Sequence, residues 1–205
     1  MKPDEIEKLS FQIIDREAGS HDFTVEQWAI VRRMIHTSAD FEYKDTVRFH
    51  KDAITSGLEA IRNGKKIITD TNMARVGIRK KDLAQFGATV SCYMNDPRVH
   101  LNAKAAGVTR AKIAVELAAT DMTGGIYVIG NAPTALLGLI DLINEQKAKP
   151  ALIIGLPVGF VNAAESKAAL IKLDFPFISN VGRKGGSNVA ASVVNALAIM
   201  ASQPA

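Results

Sequence analysis

The 205-residue chain has one cysteine, Cys92, and no cluster of cysteine and histidine with the spacing of a metal site. An internal disulfide is therefore excluded, and we expect a reducing, cytoplasmic setting and no bound metal. No apolar run reaches the roughly 18 to 20 residues that a membrane-spanning helix needs. Residues 1–5 (MKPDE) are charged, unlike the beginning of a secretory signal. We therefore expect no membrane association.

Aromatic residues are also scarce, at 6%, and the formal net charge is only +4. A nucleic-acid-binding protein of this size usually carries a denser basic stripe with interleaved aromatic residues, so we expect no nucleic-acid partner. The basic excess fits a small anionic ligand, or simply a solvated surface. Hydrophobic residues at 47% and charged residues at 22% are typical of a folded globular protein. The length predicts a single domain over residues 1–205.

Short apolar runs alternate with helical patterns along most of the chain. Two helices come first: one covers residues 4–17 and is closed by Gly19, and the second begins at Thr24, which forms a capping box with Gln27. We predict strands at residues 46–50, 66–69, 88–93, 126–129, 151–154 and 177–179, and helices near 51–63, 79–86, 109–120, 134–147, 161–172 and 187–201. This alternation predicts an α/β single domain, with a mostly parallel sheet, helices on both faces and an N-terminal helical extension.

Three of the predicted strands run into turns of small residues, at 130–134, 155–159 and 182–187. Ligands of an open parallel sheet bind at the carboxyl ends of its strands. Each turn also leads into a helix, whose N-terminus attracts carboxylate or phosphate. Each turn taken alone is equally consistent with a tight structural connection, and none has the residue order of a dinucleotide or phosphate-binding loop.

His36 lies near the end of the second helix, with Arg32 and Arg33 one turn before it and Asp40 one turn after it. One interpretation is a half-exposed histidine whose charge suits a helix C-terminus. The other is a proton donor, because histidine titrates near neutral pH. Two interpretations also remain for two other residues. Asp70 is a ligand-binding residue or a helix cap, and Arg110 holds an anion or is solvated.

Five stretches together resemble the precorrin-8X methylmutase family, and the similarity runs almost from end to end. They are residues 34–41 (MIHTSADF), 68–73 (ITDTNM), 130–136 (GNAPTAL), 155–167 (GLPVGFVNAAESK) and 182–188 (GRKGGSN). Five motifs in the order of the family are far more specific than one glycine-rich turn.

The resemblance implies an isomerase of cobalamin biosynthesis. Such an enzyme moves a methyl group of a contracted tetrapyrrole from a bridging carbon onto ring C, giving hydrogenobyrinate or its cobalt form, cobyrinate. It implies no cofactor, a polycarboxylate tetrapyrrole as substrate, and a homodimer with its sites at the subunit interface. His36 is the expected proton donor. The expected substrate-binding residues are Ser10, Arg33, Thr71, Arg110, Gly130, Asn131, Gly159, Gly185 and Gly186.

A flat macrocycle also needs apolar walls. Candidates near the predicted strand ends are Met73, Val76, Leu156, Val158 and Phe160, which are equally consistent with plain core positions.

Two other classes of protein remain open. A nucleotide-dependent α/β enzyme would use the loop at residues 182–187 for phosphate, although the usual fingerprints are missing. A corrinoid carrier without enzymatic activity is the other alternative. Carriers that hold cobalamin by a histidine often use the pattern Asp-x-His-x-x-Gly, whereas His36 is followed by Thr-Ser-Ala.

Overall fold

The computed structural model describes residues 2–203, with the backbone alone for residues 3 and 4. Eleven helices and six strands follow one another in this part of the chain. The helices are α1 Pro3–Ala18, α2 Val25–Ser38, α3 Tyr43–Thr46, α4 Ala53–Arg62, α5 Asn72–Gly77, α6 Lys80–Ala84, α7 Pro97–Ala106, α8 Arg110–Ala118, α9 Pro133–Asn144, α10 Ala163–Ile171 and α11 Ser187–Ala201. The strands are β1 Val47–Phe49, β2 Ile67–Thr69, β3 Val90–Cys92, β4 Ile126–Ile129, β5 Leu152–Gly155 and β6 Phe177–Asn180.

The six strands form one sheet in the order β1-β6-β5-β4-β2-β3. Only β1 is antiparallel, and it lies at the edge beside β6. The predicted fold class, a mostly parallel α/β sheet, is therefore confirmed. The chain winds from β2 to β3 in one direction and from β4 through β5 to β6 in the other. The winding thus reverses between β2 and β4, where open α/β sheets bind ligands. Residues 1, 204 and 205 lie outside the described part, so the domain limits of 1 and 205 stay a prediction.

Strand β4 shows how the sheet is covered on both faces. Ile126 and Val128 belong to one core, with residues of α2, α4 and α11, whereas Tyr127 and Ile129 belong to the other, with residues of α8, α9 and α10. Successive side chains of a strand point to opposite faces. A strand buried on both faces is therefore apolar throughout, as the predicted run at residues 126–129 is.

The N-terminal extension lies on the first of these faces. Helix α1 packs against α2, and α2 packs against α11. The predicted capping box is present, because the Gln27 backbone N–H donates to Thr24 Oγ1 and the Gln27 side chain accepts from the Thr24 N–H. Gly19 follows α1 with φ of +64°, a conformation that favours glycine.

Three helices were not predicted from the sequence: the single turn α3 and the helices α5 and α7. Asp96 caps α7 by accepting from the Arg98 N–H, and Pro97 is the first residue of this helix. Helix α5 is capped in the same way by Thr71, which accepts from the Ala74 N–H. Both helices bury few residues and therefore lack a clear apolar stripe. The single cysteine, Cys92, is half-buried in the edge strand β3.

Candidate active site

The loops that follow β4, β5 and β6 interlock at the carboxyl edge of the sheet. Gly130 approaches the backbone of Ser187 so closely that a Cβ on Gly130 would lie 2.5 Å from the Ser187 Cα. A Cβ on Gly185 would lie 2.2 Å from the carbonyl oxygen of Leu156. The N–H of Gly186 donates to the same carbonyl at 3.0 Å. Glycine is therefore required by close approach of the backbones at these positions.

Two further contacts complete this surface. The N–H of Gly159 donates to the carbonyl of Arg183 at 3.2 Å. The hydroxyl groups of Thr71 and Ser187 are hydrogen-bonded at 2.8 Å. We call the surface formed by Thr71, Gly130, Asn131, Gly159, Gly185 and Gly186 the glycine edge. Its Thr71 and Gly130 follow β2 and β4, so it includes the point where the strand order reverses.

Asp70 holds the backbone of the turn between β4 and α9, where a ligand was expected. Its carboxylate accepts from the N–H groups of Gly130 at 3.0 Å, Asn131 at 2.8 Å and Ala132 at 2.8 Å. Burial raises the pKa of the Asp70 carboxyl above its usual value, although the three N–H donors act in the opposite direction. These N–H groups are thus already bonded, whereas the side chain of Asn131 is exposed. Asp70 caps neither α9, which has no side-chain cap, nor the helix that follows it, which is capped by Thr71. Its carboxylate instead binds the backbone of the turn that precedes α9.

Arg110 lies at the same end of the molecule. It is the exposed first residue of α8, and its Nη2 donates to the Met94 carbonyl at 3.0 Å. The preceding Thr109 donates through Oγ1 to Thr134 Oγ1 at 2.9 Å, which joins the first turns of α8 and α9. Arg110 therefore borders the loop that contains Gly130 and Asn131.

A second surface is formed by α1 and α2, and we call it the helical surface. Glu7, Phe11 and Asp15 lie four residues apart along α1 and share one face. Glu7 Oε1 pairs with Arg33 Nη1 at 3.0 Å, and Asp15 Oδ2 pairs with Arg32 Nη1 at 2.8 Å.

Phe11 lies between these ion pairs. The guanidinium carbons of Arg32 and Arg33 lie 4.5 and 5.2 Å from the centre of its ring. The His36 imidazole contacts the same ring edge-on, with ring centres 5.2 Å apart. His36 is exposed, and Ser10, next to Phe11, is half-exposed with its hydroxyl donating to the Ile6 carbonyl. Arg33 and His36 are therefore brought together around one aromatic ring, whereas Ser10 is related to that ring only as its neighbour in α1.

Lys184 joins the two surfaces. Its ammonium lies 2.6 Å from the Asp40 carboxylate and 2.7 Å from that of Glu42. The hydrogen bond from Lys184 lowers the pKa of Asp40. Asp40 follows His36 by four residues, and Lys184 belongs to the loop that contains Gly185 and Gly186. The end of α2 is thus anchored to the glycine edge.

One cleft borders the helical surface, but it does not unite the two surfaces. It has a volume of about 600 Å³, and Phe11, Trp28, Arg33, Arg62 and Met200 are among its lining residues. Neither His36 nor any glycine of the glycine edge lines it. Within one copy of the chain, the predicted site residues therefore form two neighbouring surfaces.

Three polar residues at or beneath the glycine edge were not identified from the sequence: Lys167, Lys184 and Ser187. Ser187 and Lys184 stand in the motif at residues 182–188, and Lys167 ends the motif at 155–167, so the motifs themselves carried the signal. Residues 2–203 contain no group of three or more His, Cys, Asp or Glu that could hold a metal ion. No helix in the same range is long and apolar enough to cross a membrane.

The fold and the two surfaces define a single-domain α/β protein, with an exposed histidine beside two arginines on its helical surface. The model of the precorrin-8X methylmutase family matches residues 5–200. The chain belongs to this family of isomerases of cobalamin biosynthesis.

Individual relatives agree with this assignment. Cobalt-precorrin-8 methylmutase of Priestia megaterium is 51% identical, over 98% of this chain and 89% of that protein. The protein of the same name from Leptospira interrogans is 43% identical, over 97% and 94%. The crystal structure of precorrin-8X methylmutase from Thermus thermophilus superimposes with a TM-score of 0.90 at 44% identity, over 97% of this chain and 96% of that one.

Proposed function

We propose that the protein moves a methyl group onto ring C of precorrin-8 or cobalt-precorrin-8, with His36 as the proton donor. The product is hydrogenobyrinate or, from the cobalt form, cobyrinate. The observation that carries the proposal is the exposed His36 imidazole, held against Phe11 beside two guanidinium groups. The names of the relatives from Priestia and Leptospira favour the cobalt-containing substrate. The family match also favours this isomerase over the nucleotide enzyme and the carrier.

The charges of the site suit a tetrapyrrole with several acetate and propionate groups. Arg33 on the helical surface and Arg110 at the glycine edge are separate guanidinium groups, each able to hold a carboxylate. Asn131 adds an exposed amide at the glycine edge. A ligand that contacts several of these groups is fixed in orientation, and orientation lowers the barrier of an intramolecular shift.

Exposed apolar side chains supply walls for a flat ring. Met73 and Val76 on α5 are 70% and 68% exposed, and Val158 and Phe160 after β5 are 42% and 84% exposed. Leu156, a candidate of the same kind, is fully buried and belongs to the core. Apolar side chains this exposed are typical of binding surfaces.

The reaction is an isomerisation, so bonds and protons balance within the substrate. One carbon–carbon bond to the migrating methyl breaks at the bridging carbon, and one forms at ring C. A proton donated by His36 withdraws electron density from the conjugated system, which favours the rearranged isomer, and the proton is returned once the shift is complete. General acid catalysis of this kind contributes about 10²- to 10⁴-fold to the rate.

The test is conversion of precorrin-8, with and without cobalt, followed by the change in its visible spectrum. We expect His36→Ala to lower kcat by about 10²- to 10⁴-fold. The matched control is His100→Ala, which removes an exposed histidine from α7. Turnover of His36→Ala at the parental rate would remove the proton-donor role. Binding of substrate by the parent protein without any spectral change would support a carrier instead.

The protein is proposed to act as a homodimer whose sites lie between subunits. Within one copy the helical surface and the glycine edge are separate, and both carry exposed apolar residues, with Leu9 on α1 at 45% and Val161 at 78% exposure. A second copy of the chain would cover them. Sedimentation equilibrium should give twice the mass of one chain, and a single-chain mass at assay concentration would contradict this part of the proposal.

A further inference from the structure

Lys167 is a fully buried lysine on α10 whose hydrogen-bond acceptors are both neutral. Its ammonium donates to Asn180 Oδ1 at 3.0 Å and to the Lys184 carbonyl at 2.5 Å. None of the ion pairs between residues 2 and 203 includes it. Lysine is almost never fully buried unless it is paired with an acid. Burial lowers the pKa of Lys167 to about 8, which means that its surroundings stabilise the charged ammonium less well than water does.

The contacts of Lys167 converge on one carbonyl group. Asn180 Nδ2 also donates to the Lys184 carbonyl, at 3.0 Å, and to the Val181 carbonyl at 3.2 Å. The main chain of Lys184 is therefore fixed from within by α10 and β6. Its side chain points the other way, to Asp40 and Glu42 at the end of α2.

The path of the loop on either side of Lys184 depends on the position of the Lys184 carbonyl. Gly182 has φ of +89° and Gly186 has φ of +137°, so the loop follows a path that glycine permits and other residues resist. Gly185 is pressed against the carbonyls of Leu156 and Pro157. A shift of the Lys184 carbonyl would move Gly185, and it would also move the Lys184 ammonium relative to the Asp40 carboxylate.

We propose that Lys167 is a positioning residue, which holds the loop at residues 182–186 and thereby sets the glycine edge relative to the helical surface that carries His36. Lys167 touches no substrate, because it is fully buried. Its effect on the reaction rests on the proposed function, whereas its effect on the loop does not.

Amide hydrogen exchange tests the loop directly. In Lys167→Met we expect residues 182–188 to exchange about tenfold faster, because the Lys184 carbonyl loses a charged donor. Exchange elsewhere in the chain should stay as in the parent protein. The control is Lys172→Met, which removes an exposed lysine after the same helix. It should change amide exchange neither at residues 182–188 nor elsewhere in the chain.

Steady-state kinetics test the consequence for the site. A displaced loop weakens substrate binding while His36 itself is intact, so we expect KM to rise about tenfold and kcat to change by less than about threefold. A general loss of folded protein would instead lower kcat in proportion and leave KM unchanged.

Lys167→Gln provides a second variant if the methionine variant does not fold. The glutamine amide ends one atom short of the lysine nitrogen, so we expect the same local increase in exchange. Unchanged exchange at residues 182–188, or equal acceleration along the whole chain, would overturn the proposal. Absence of turnover in the parent protein would refute the proposed function and leave the exchange test of Lys167 intact.

Discussion

The helical surface and the glycine edge hold their charges in opposite ways. On the helical surface, Arg32 and Arg33 pair with Asp15 and Glu7, whose side chains are 42% and 41% exposed. At the glycine edge, Asp70 is 2% exposed and is held by backbone N–H groups, and the buried Lys167 is held by a carbonyl and an amide oxygen.

This difference in exposure decides whether a ligand can replace the partner of a charged group. Exposed ion pairs are weak and are screened by salt, so a ligand carboxylate can take the place of Glu7 or Asp15. Buried charges with fixed hydrogen-bond partners cannot exchange them without a large loss. We infer that the arginines of the helical surface can exchange their carboxylate partners for those of a ligand, whereas the buried charges at the glycine edge keep its backbone rigid.

Asp70→Asn should give the largest effect on stability, because it breaks the buried arrangement. An asparagine has one acceptor oxygen, and its NH₂ group would face an N–H donor of the turn that precedes α9. We expect the free energy of unfolding to fall by about 3 kcal/mol, measured by urea denaturation. Asp174→Asn changes a carboxylate that is 99% exposed and serves as the control. A loss no greater than that of the control would mean that the glycine edge is not held by its buried charge.

Gly185→Ala should have the next largest effect. Its Cβ would lie 2.2 and 2.6 Å from the carbonyl oxygens of Leu156 and Pro157, so two loop backbones must move apart. We expect a loss of about 2 kcal/mol in the free energy of unfolding. The matched control is Gly182→Ala, at φ of +89° with no atom within 4 Å, which incurs only conformational strain of about 1 kcal/mol. Equal losses would show that conformation, and not close approach, limits this loop.

The sequence predicts the sheet well because its strands are buried on both faces. The apolar run at residues 126–129 coincides with β4, and such runs stay visible without any knowledge of their neighbours. Helices α5 and α7 were missed because they are short and half-exposed, so that packing leaves little periodic signal. Their caps at Thr71 and Asp96 were the available signal.

The site is harder to predict because its contacts cross between distant segments. The glycine turns indicate the correct edge of the sheet, but Asp70 reaches the turn at Gly130 only because β2 and β4 are neighbours. The strand order is not encoded in either segment alone. The sequence places Arg33 beside His36, and the family resemblance assigns both to the site, whereas their common contact with Phe11 needed the packing of α1 on α2.

The smallest predicted effect tests whether charge on the helical surface is exchangeable. Glu7→Gln leaves the Arg33 guanidinium, which is 14% exposed, without its carboxylate partner. We expect the free energy of unfolding to change by about 0.5 kcal/mol or less, and the KM for precorrin-8 to fall about twofold, because a substrate carboxylate no longer competes with Glu7. Glu17→Gln removes the same charge from an exposed position on α1 and should leave KM unchanged. A KM that rises in Glu7→Gln would mean that Glu7 orients Arg33 for the substrate, and the two surfaces would then both depend on fixed partners.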